Sequence, residues 1–170
     1  CALSTSGNVS LEVRQQASQY CDEVKKNEDG WIAAIELFSQ SNKPEVQFFS
    51  LGVFQDFLGP RPGVTCRLTD PLKRARIREC MLSWLRETNL SETSPESYTL
   101  TKVGVIFALL IKTDFPENWP SAFDDMLSLM ERNRPQDCDL LFRFLGAIDD
   151  EIVKFNAHRD PIETQRNKEV

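Results

Sequence analysis

The sequence predicts an all-α fold: a solenoid of about four antiparallel helix pairs stacked side by side. Three observations carry that prediction. Dense apolar segments recur with a small residue in their middle: 48–54 (Phe-Phe-Ser-Leu-Gly-Val-Phe), 103–110 (Val-Gly-Val-Ile-Phe-Ala-Leu-Leu) and 140–148 (Leu-Leu-Phe-Arg-Phe-Leu-Gly-Ala-Ile). The last two lie about 40 residues apart, the period of a two-helix HEAT-type repeat. No segment shows the strict alternation of a half-buried strand; residues 46–57 are apolar enough, but their length and the spacing of Gln47, Gln55 and Asp56 fit a helix.

The elements follow in order. Helix 1A spans about Ser10–Lys26, capped by Ser10, with Val13, Ala17, Tyr20, Cys21 and Val24 at helical spacing. Asn27–Gly30 breaks it, and helix 1B runs from Trp31 to about Gln40 with Trp31, Ala34, Ile35 and Phe38 on one side. Pro44 opens helix 2A, which ends at Leu58 before a Gly-Pro-Arg-Pro-Gly break. Gly59–Thr69 is a loop longer than a usual helix–helix connection. Thr69 or Asp70 caps helix 2B, which carries Leu72, Ile77, Cys80, Met81, Trp84 and Leu85 to about Asn89.

Helix 3A spans about Glu96–Thr113. Trp119-Pro120 opens helix 3B, whose apolar stripe is Trp119, Phe123, Met126, Leu127 and Met130, ending at Asn133-Arg134-Pro135. Helix 4A covers about Asp137–Phe155, and Pro161 starts a last helix. No pair buries its apolar face alone, so neighbours supply the core. The aromatic residues Trp31, Phe48, Phe49, Trp84, Phe107, Trp119, Phe123, Phe142 and Phe144 are expected there. The chain begins at Cys1 without Met, and 1–170 reads as one segment of a longer superhelix with an apolar end left open.

Composition narrows the function classes. The chain is 41% hydrophobic and 27% charged, which is globular, and its net charge of −6 disfavours general nucleic-acid binding while suiting a basic protein partner. The five cysteines show no CxxC spacing and the single histidine, His158, has no nucleophile near it in sequence, so a zinc site, a disulfide framework and a catalytic dyad find no support. Cysteine usage fits a reducing compartment. No apolar run reaches the ~18 residues that span a bilayer, and no phosphate loop or nucleophile elbow is present. The acidic runs Asp124-Asp125 and Asp149–Glu151 do not converge on a helix, where neighbours point about 100° apart. The basic run 73–78, with Lys73, Arg74 and Arg76, is either a solvated helix face or a contact for RNA phosphate or an acidic protein.

Several segments resemble one family. Residues 48–54 are similar to an N-terminal helix of exportins in the importin-β (karyopherin) superfamily, and 119–127 (Trp-Pro-Ser-Ala-Phe-Asp-Asp-Met-Leu) to an exportin helix. Residues 77–85, 140–153 and 165–167 resemble the tRNA-exporting exportin-T branch, in order along nearly the whole chain. Gly52 and Phe54 depart from the Gln and Leu usual there, and the Gly59–Thr69 loop is particular to this sequence.

The resemblance implies an N-terminal helical-repeat segment, importin-β-like and passing into the start of an exportin-1-like region. It implies a shuttling receptor of nucleus and cytoplasm that binds Ran·GTP and tRNA cooperatively and meets nucleoporins, as a monomer and away from membranes. It implies no enzyme and no cofactor of its own, since GTP and magnesium belong to Ran. In that topology the B helices face Ran, so the candidates are Glu36, Ser39, Gln40, Arg78, Glu79, Arg86, Asp124, Asp125, Ser128 and Glu131; Lys73, Arg74 and Arg76 are candidates for RNA. The alternatives are another exportin with protein cargo, or an unrelated helical scaffold.

Overall fold

The structure, a computed structural model, describes residues 10–60, 66–90, 95–130, 135–154 and 161–168. Within them run the α-helices α1 (Leu11–Lys26), α2 (Gly30–Gln40), α3 (Pro44–Leu58), α4 (Pro71–Leu90), α5 (Ser97–Asp114), α6 (Ala122–Met130), α7 (Pro135–Ile148) and α8 (Pro161–Asn167), and no strand. Glu131, His158 and Cys1 lie outside the described residues.

Local chemistry sets the helix starts. Ser10 Oγ accepts the Val13 N–H at 3.3 Å, an N-cap bond that satisfies one orphan donor of α1. Pro44 occupies the first turn of α3, where its missing N–H costs nothing. Asp70 Oδ1 accepts the Leu72 N–H at 2.9 Å and caps α4. After α3, the Leu68 N–H donates to the Phe57 carbonyl at 2.9 Å and ties the returning loop to that helix.

Two elements differ from expectation. Trp119-Pro120 lies in the turn before α6 rather than in the helix, and Trp119 enters the core. Helix α7 does not continue as an α-helix; residues Asp149–Val153 form a π-helical turn, closed by the Lys154 N–H donating to the Asp149 carbonyl at 2.7 Å.

Equivalent helices stack in parallel. Phe48 meets Tyr98 edge-on at 5.3 Å and Lys102 donates to Gln55, so α3 and α5 run in the same direction. Arg76 lies over the Trp31 ring and Ser39 Oγ sits 3.5 Å from Cys80 Sγ, so α2 and α4 do too. Each B helix also meets the A helix of the next pair: α2 on α3, α4 on α5, α6 on α7. Phe38 of α2 shows how, with Phe54 of α3 at 6.0 Å on one side and Trp84 of α4 at 5.4 Å on the other. This is a helical-repeat solenoid with one continuous apolar core. Each large side chain buried in it contributes about 1.5–3 kcal/mol.

The glycines inside the apolar segments do different jobs. A Cβ on Gly104 would sit 3.1 Å from the Arg143 carbonyl oxygen, so this glycine lets the α7 backbone close on α5. Gly52 and Gly146 face open space. Gly30, which ends the first break, is tighter than any of them: a Cβ there would fall 1.8 Å from the Val24 carbonyl oxygen.

Some expected core positions lie outside it. On α1 only Val24 is buried, with Ala17 and Cys21 half-buried; Val13 and Tyr20, expected in the core, are exposed on its other side. Phe142 is 72% exposed on α7, where the core is reached by Leu140 and Phe144 instead. Phe123 and Leu127 are also exposed: α6 turns Ala122 and Met126 inward, and Phe123 packs at the rim against Phe115 at 5.3 Å.

Candidate partner-binding face

The face built by α2, α4 and α6 carries most of the candidate positions. Glu36, Ser39 and Gln40 are exposed on α2, Glu79 and Arg86 on α4, and Asp124 and Ser128 on α6. The Trp31–Arg76 and Ser39–Cys80 contacts hold α2 and α4 parallel, and Arg78 of α4 meets Asn118 and Trp119 just before α6. The exposed charge is mixed: Glu36, Glu79, Glu87 and Asp124 against Arg76 and Arg86.

Two candidates are committed inside the molecule. The Arg78 side chain is 15% exposed and lies 3.6 Å from Glu79; it donates to the Asn118 carbonyl at 3.1 Å, and its guanidinium lies 5.1 Å from the Trp119 ring centre. Asp125 accepts the Trp119 indole N–H at 2.7 Å and the Ser121 hydroxyl at 2.9 Å. Both hold α6 to the rest of the fold, a role that local spacing does not reveal.

The basic run on α4 divides in the same way. Lys73 and Arg76 are exposed, but Arg74 is buried and does not offer a surface for phosphate. Its Nη2 lies 2.7 Å from Asp114 Oδ1, and Nη1 donates to the Leu68 and Thr69 carbonyls at 2.8 and 2.7 Å. A buried arginine needs such a partner set, since desolvating the charge costs several kcal/mol. Beside it the Cys66 thiol donates to the Leu68 carbonyl at 3.0 Å, and burial pushes its pKa up despite the nearby guanidinium.

The polar contacts that local sequence patterns do not reveal are arginines reaching across a repeat. Arg67 donates to the Lys25, Lys26 and Asn27 carbonyls at 2.5, 3.0 and 3.3 Å, pairs with Asp56 at 2.9 Å, and lies 3.9 Å from the Phe57 ring centre. It thereby satisfies the carbonyls that the end of α1 leaves orphaned. Arg143 of α7 reaches Ser97 and Thr101 of α5, and Arg166 of α8 reaches Phe115 and Glu117. The spacing of these pairs, close to 40 residues for Arg67–Asn27, Arg74–Asp114 and Arg78–Asn118, is the one signal in the sequence that points to them.

The opposite layer holds an open groove between α1, α3 and α5, lined by Lys25, Gly52, Gln55, Asp56, Leu109 and Glu151. Beside it Lys102 lies over Phe48, and burial, then repulsion from Lys25, lowers its pKa. Among the described residues, no cluster of three His, Cys, Asp or Glu side chains is arranged to hold a metal, and no helix is long and apolar enough to cross a membrane.

Among known proteins, the chain is similar to exportins. Residues 96–170 match the family described as Exportin 1-like protein. Exportin-T of Dictyostelium discoideum is 32% identical over 94% of this chain, that of Danio rerio 32% over 97%, and that of Homo sapiens 29% over 97%. The chain is exportin-T-like along nearly its whole length. It spans 14% of the Dictyostelium relative and 17% of the other two. The exportin-T-like helices α5 to α8 fall within the matched family region, and the α2–α4–α6 face crosses its boundary.

Proposed function

We propose that this exportin-T-like chain is the N-terminal segment of a nuclear export receptor for tRNA, and that its α2–α4–α6 face receives Ran in its GTP form. The observation that carries the proposal is the exposure of Glu36, Ser39 and Gln40 on α2, Glu79 and Arg86 on α4, and Asp124 and Ser128 on α6, in a chain similar to exportin-T proteins over 94% or more of its length in three relatives. Acidic side chains at the rim of such a face steer a basic partner surface and suppress wrong ones. Lys73 and Arg76 are the residues of the basic run left to meet phosphate.

The receptor couples two ligands: Ran·GTP and tRNA each raise affinity for the other, and losing one releases the other. It shuttles as a monomer between nucleus and cytoplasm, meeting nucleoporins in transit. Full-length protein is expected to retain Ran·GTP over Ran·GDP in a pull-down, with the combined E36Q/E79Q/D124N variant retaining less. Equal capture of both nucleotide forms overturns the Ran reading. In filter binding with Ran·GTP present, K73A/R76A is expected to lower the slope of log affinity against log salt for tRNA by roughly 2, about one for each phosphate no longer neutralised. An unchanged slope removes these two residues from the RNA interface.

A further inference from the structure

The turn between α5 and α6, residues 114–119, is gripped from both neighbouring repeats. Arg74 and Arg78, one helical turn apart on α4, take its two ends: Arg74 holds the Asp114 carboxylate, and Arg78 holds the Asn118 carbonyl and covers Trp119. Arg166 of α8 takes its middle, at the Phe115 carbonyl and at Glu117 Oε2, the latter at 2.9 Å. The turn itself is closed by the Asp114 carbonyl, which accepts the Asn118 and Trp119 N–H groups at 2.7 and 3.0 Å.

The grip then passes to α6. Trp119 is 2% exposed, with Arg78 on its ring, Phe107 6.2 Å away, and its indole N–H given to Asp125. Asp125 also takes the Ser121 hydroxyl, and its own carbonyl takes the Ser128 hydroxyl at 2.9 Å. Of the exposed candidates on α6, Ser128 belongs to this set of bonds and Asp124 is next to Asp125 in sequence.

We infer that Arg78 is a positioning residue for the partner-binding face: through Trp119 and Asp125 it fixes the rotation and register of α6 relative to α4, and so presents Asp124 and Ser128 beside Glu79 in one binding-ready arrangement. The inference rests on the Ran·GTP reading for its partner, but not for its mechanics. Arg78 also lies 3.6 Å from Glu79 Oε1, so its effect through α6 is the part read by amide exchange over residues 118–128, away from that contact. A preformed face avoids the ordering cost that a loose α6 imposes at each encounter.

The test uses full-length protein with Arg78→Met and Arg78→Lys. Methionine keeps the apolar stem over Trp119 but has neither the charge nor the donor; lysine retains both. R78M is expected to weaken Ran·GTP binding about fivefold, the scale of one cation–π interaction with its hydrogen bond, and to speed amide hydrogen exchange over residues 118–128 while α3 and α5 keep their protection. R78K is expected to restore both. Wild-type binding by R78M, or faster exchange spread evenly over all helices, overturns the inference. If the wild-type protein shows no preference for Ran·GTP, the binding reading fails by itself, and the exchange arm still decides: acceleration confined to 118–128 and reversed in R78K upholds the positioning role, and no acceleration overturns it.

Discussion

Arg74 and Asp114 stand 40 residues apart in sequence and meet at 2.7 Å in the interior, with side chains 7% and 1% exposed. The pair joins the start of α4 to the end of α5, so it fastens one repeat to the next at a buried point. Removing Arg74 takes from the buried Asp114 carboxylate its guanidinium partner. R74M is expected to lower the unfolding free energy by about 3–5 kcal/mol in urea denaturation. The double variant R74M/D114L is expected to lose less than the sum of the two single changes; strict additivity would show that the pair does not couple.

The glycines give a graded prediction. G104A puts a methyl group against the α7 backbone, 3.1 Å from the Arg143 carbonyl oxygen, and neither partner is a flexible side chain. It is expected to destabilise by about 1–3 kcal/mol. G52A meets nothing within 4 Å in the middle of α3, and is expected to stabilise by about 0.5–1 kcal/mol. Thermal unfolding of the two variants measures both signs, and a loss of stability in G52A would refute the open environment at that position.

Arg67 holds the end of the first helix. Since α1 buries only Val24, the loss of this guanidinium has little else to fall back on. R67M is expected to cost the docking of α1 about 1–2 kcal/mol, seen as roughly tenfold faster amide exchange in α1 with α3 and α5 unaffected. Unaltered protection in α1 would mean that Val24 and the Gly30 packing suffice.

The Glu117–Arg166 pair carries a pH dependence. Hydrogen bonding to the Glu117 backbone N–H, then to Arg166, holds this carboxyl below its usual 4.5. The unfolded chain therefore takes up the proton first as pH falls. The stabilisation is complete above 4.5 and is lost as pH drops through the lower, folded value. Protection of α8 in hydrogen exchange is expected to hold above pH 4.5 and to fall as pH drops below it. E117Q is expected to flatten that fall; an equal fall in E117Q assigns it to other carboxylates.

Helix boundaries were legible because they rest on short-range chemistry. Ser10, Pro44 and Asp70 act on groups within three residues of themselves. The parallel stacking followed from the repeat spacing. What escaped was orientation and partnership. On α6 the apolar residues are dense enough that two neighbouring stripes fit the spacing equally well, and the one with Ala122 and Met126 faces inward. Arg74 reads as a surface charge because its partner lies on another helix, and Arg67 reads as loop because its three acceptors are backbone carbonyls. On the candidate face, the exposure of the positions on α2, α4 and α6 follows from helical spacing, while their choice rests on the topology of the resembled family; the internal duties of Arg78 and Asp125 were not legible, since both depend on where Trp119 comes to rest.

The arginine ties bear on how such a chain reaches its native state during synthesis. The longest of these ties, Arg166 to Phe115, spans 51 residues, and the others span less. None has to wait for a distant terminus to be made. Each repeat is fastened once the next has left the ribosome, so the growing chain never holds more than about one repeat of unfastened apolar surface. A superhelix several times longer can be built at the same local pace, because the sequence separation its contacts must close does not grow with its length.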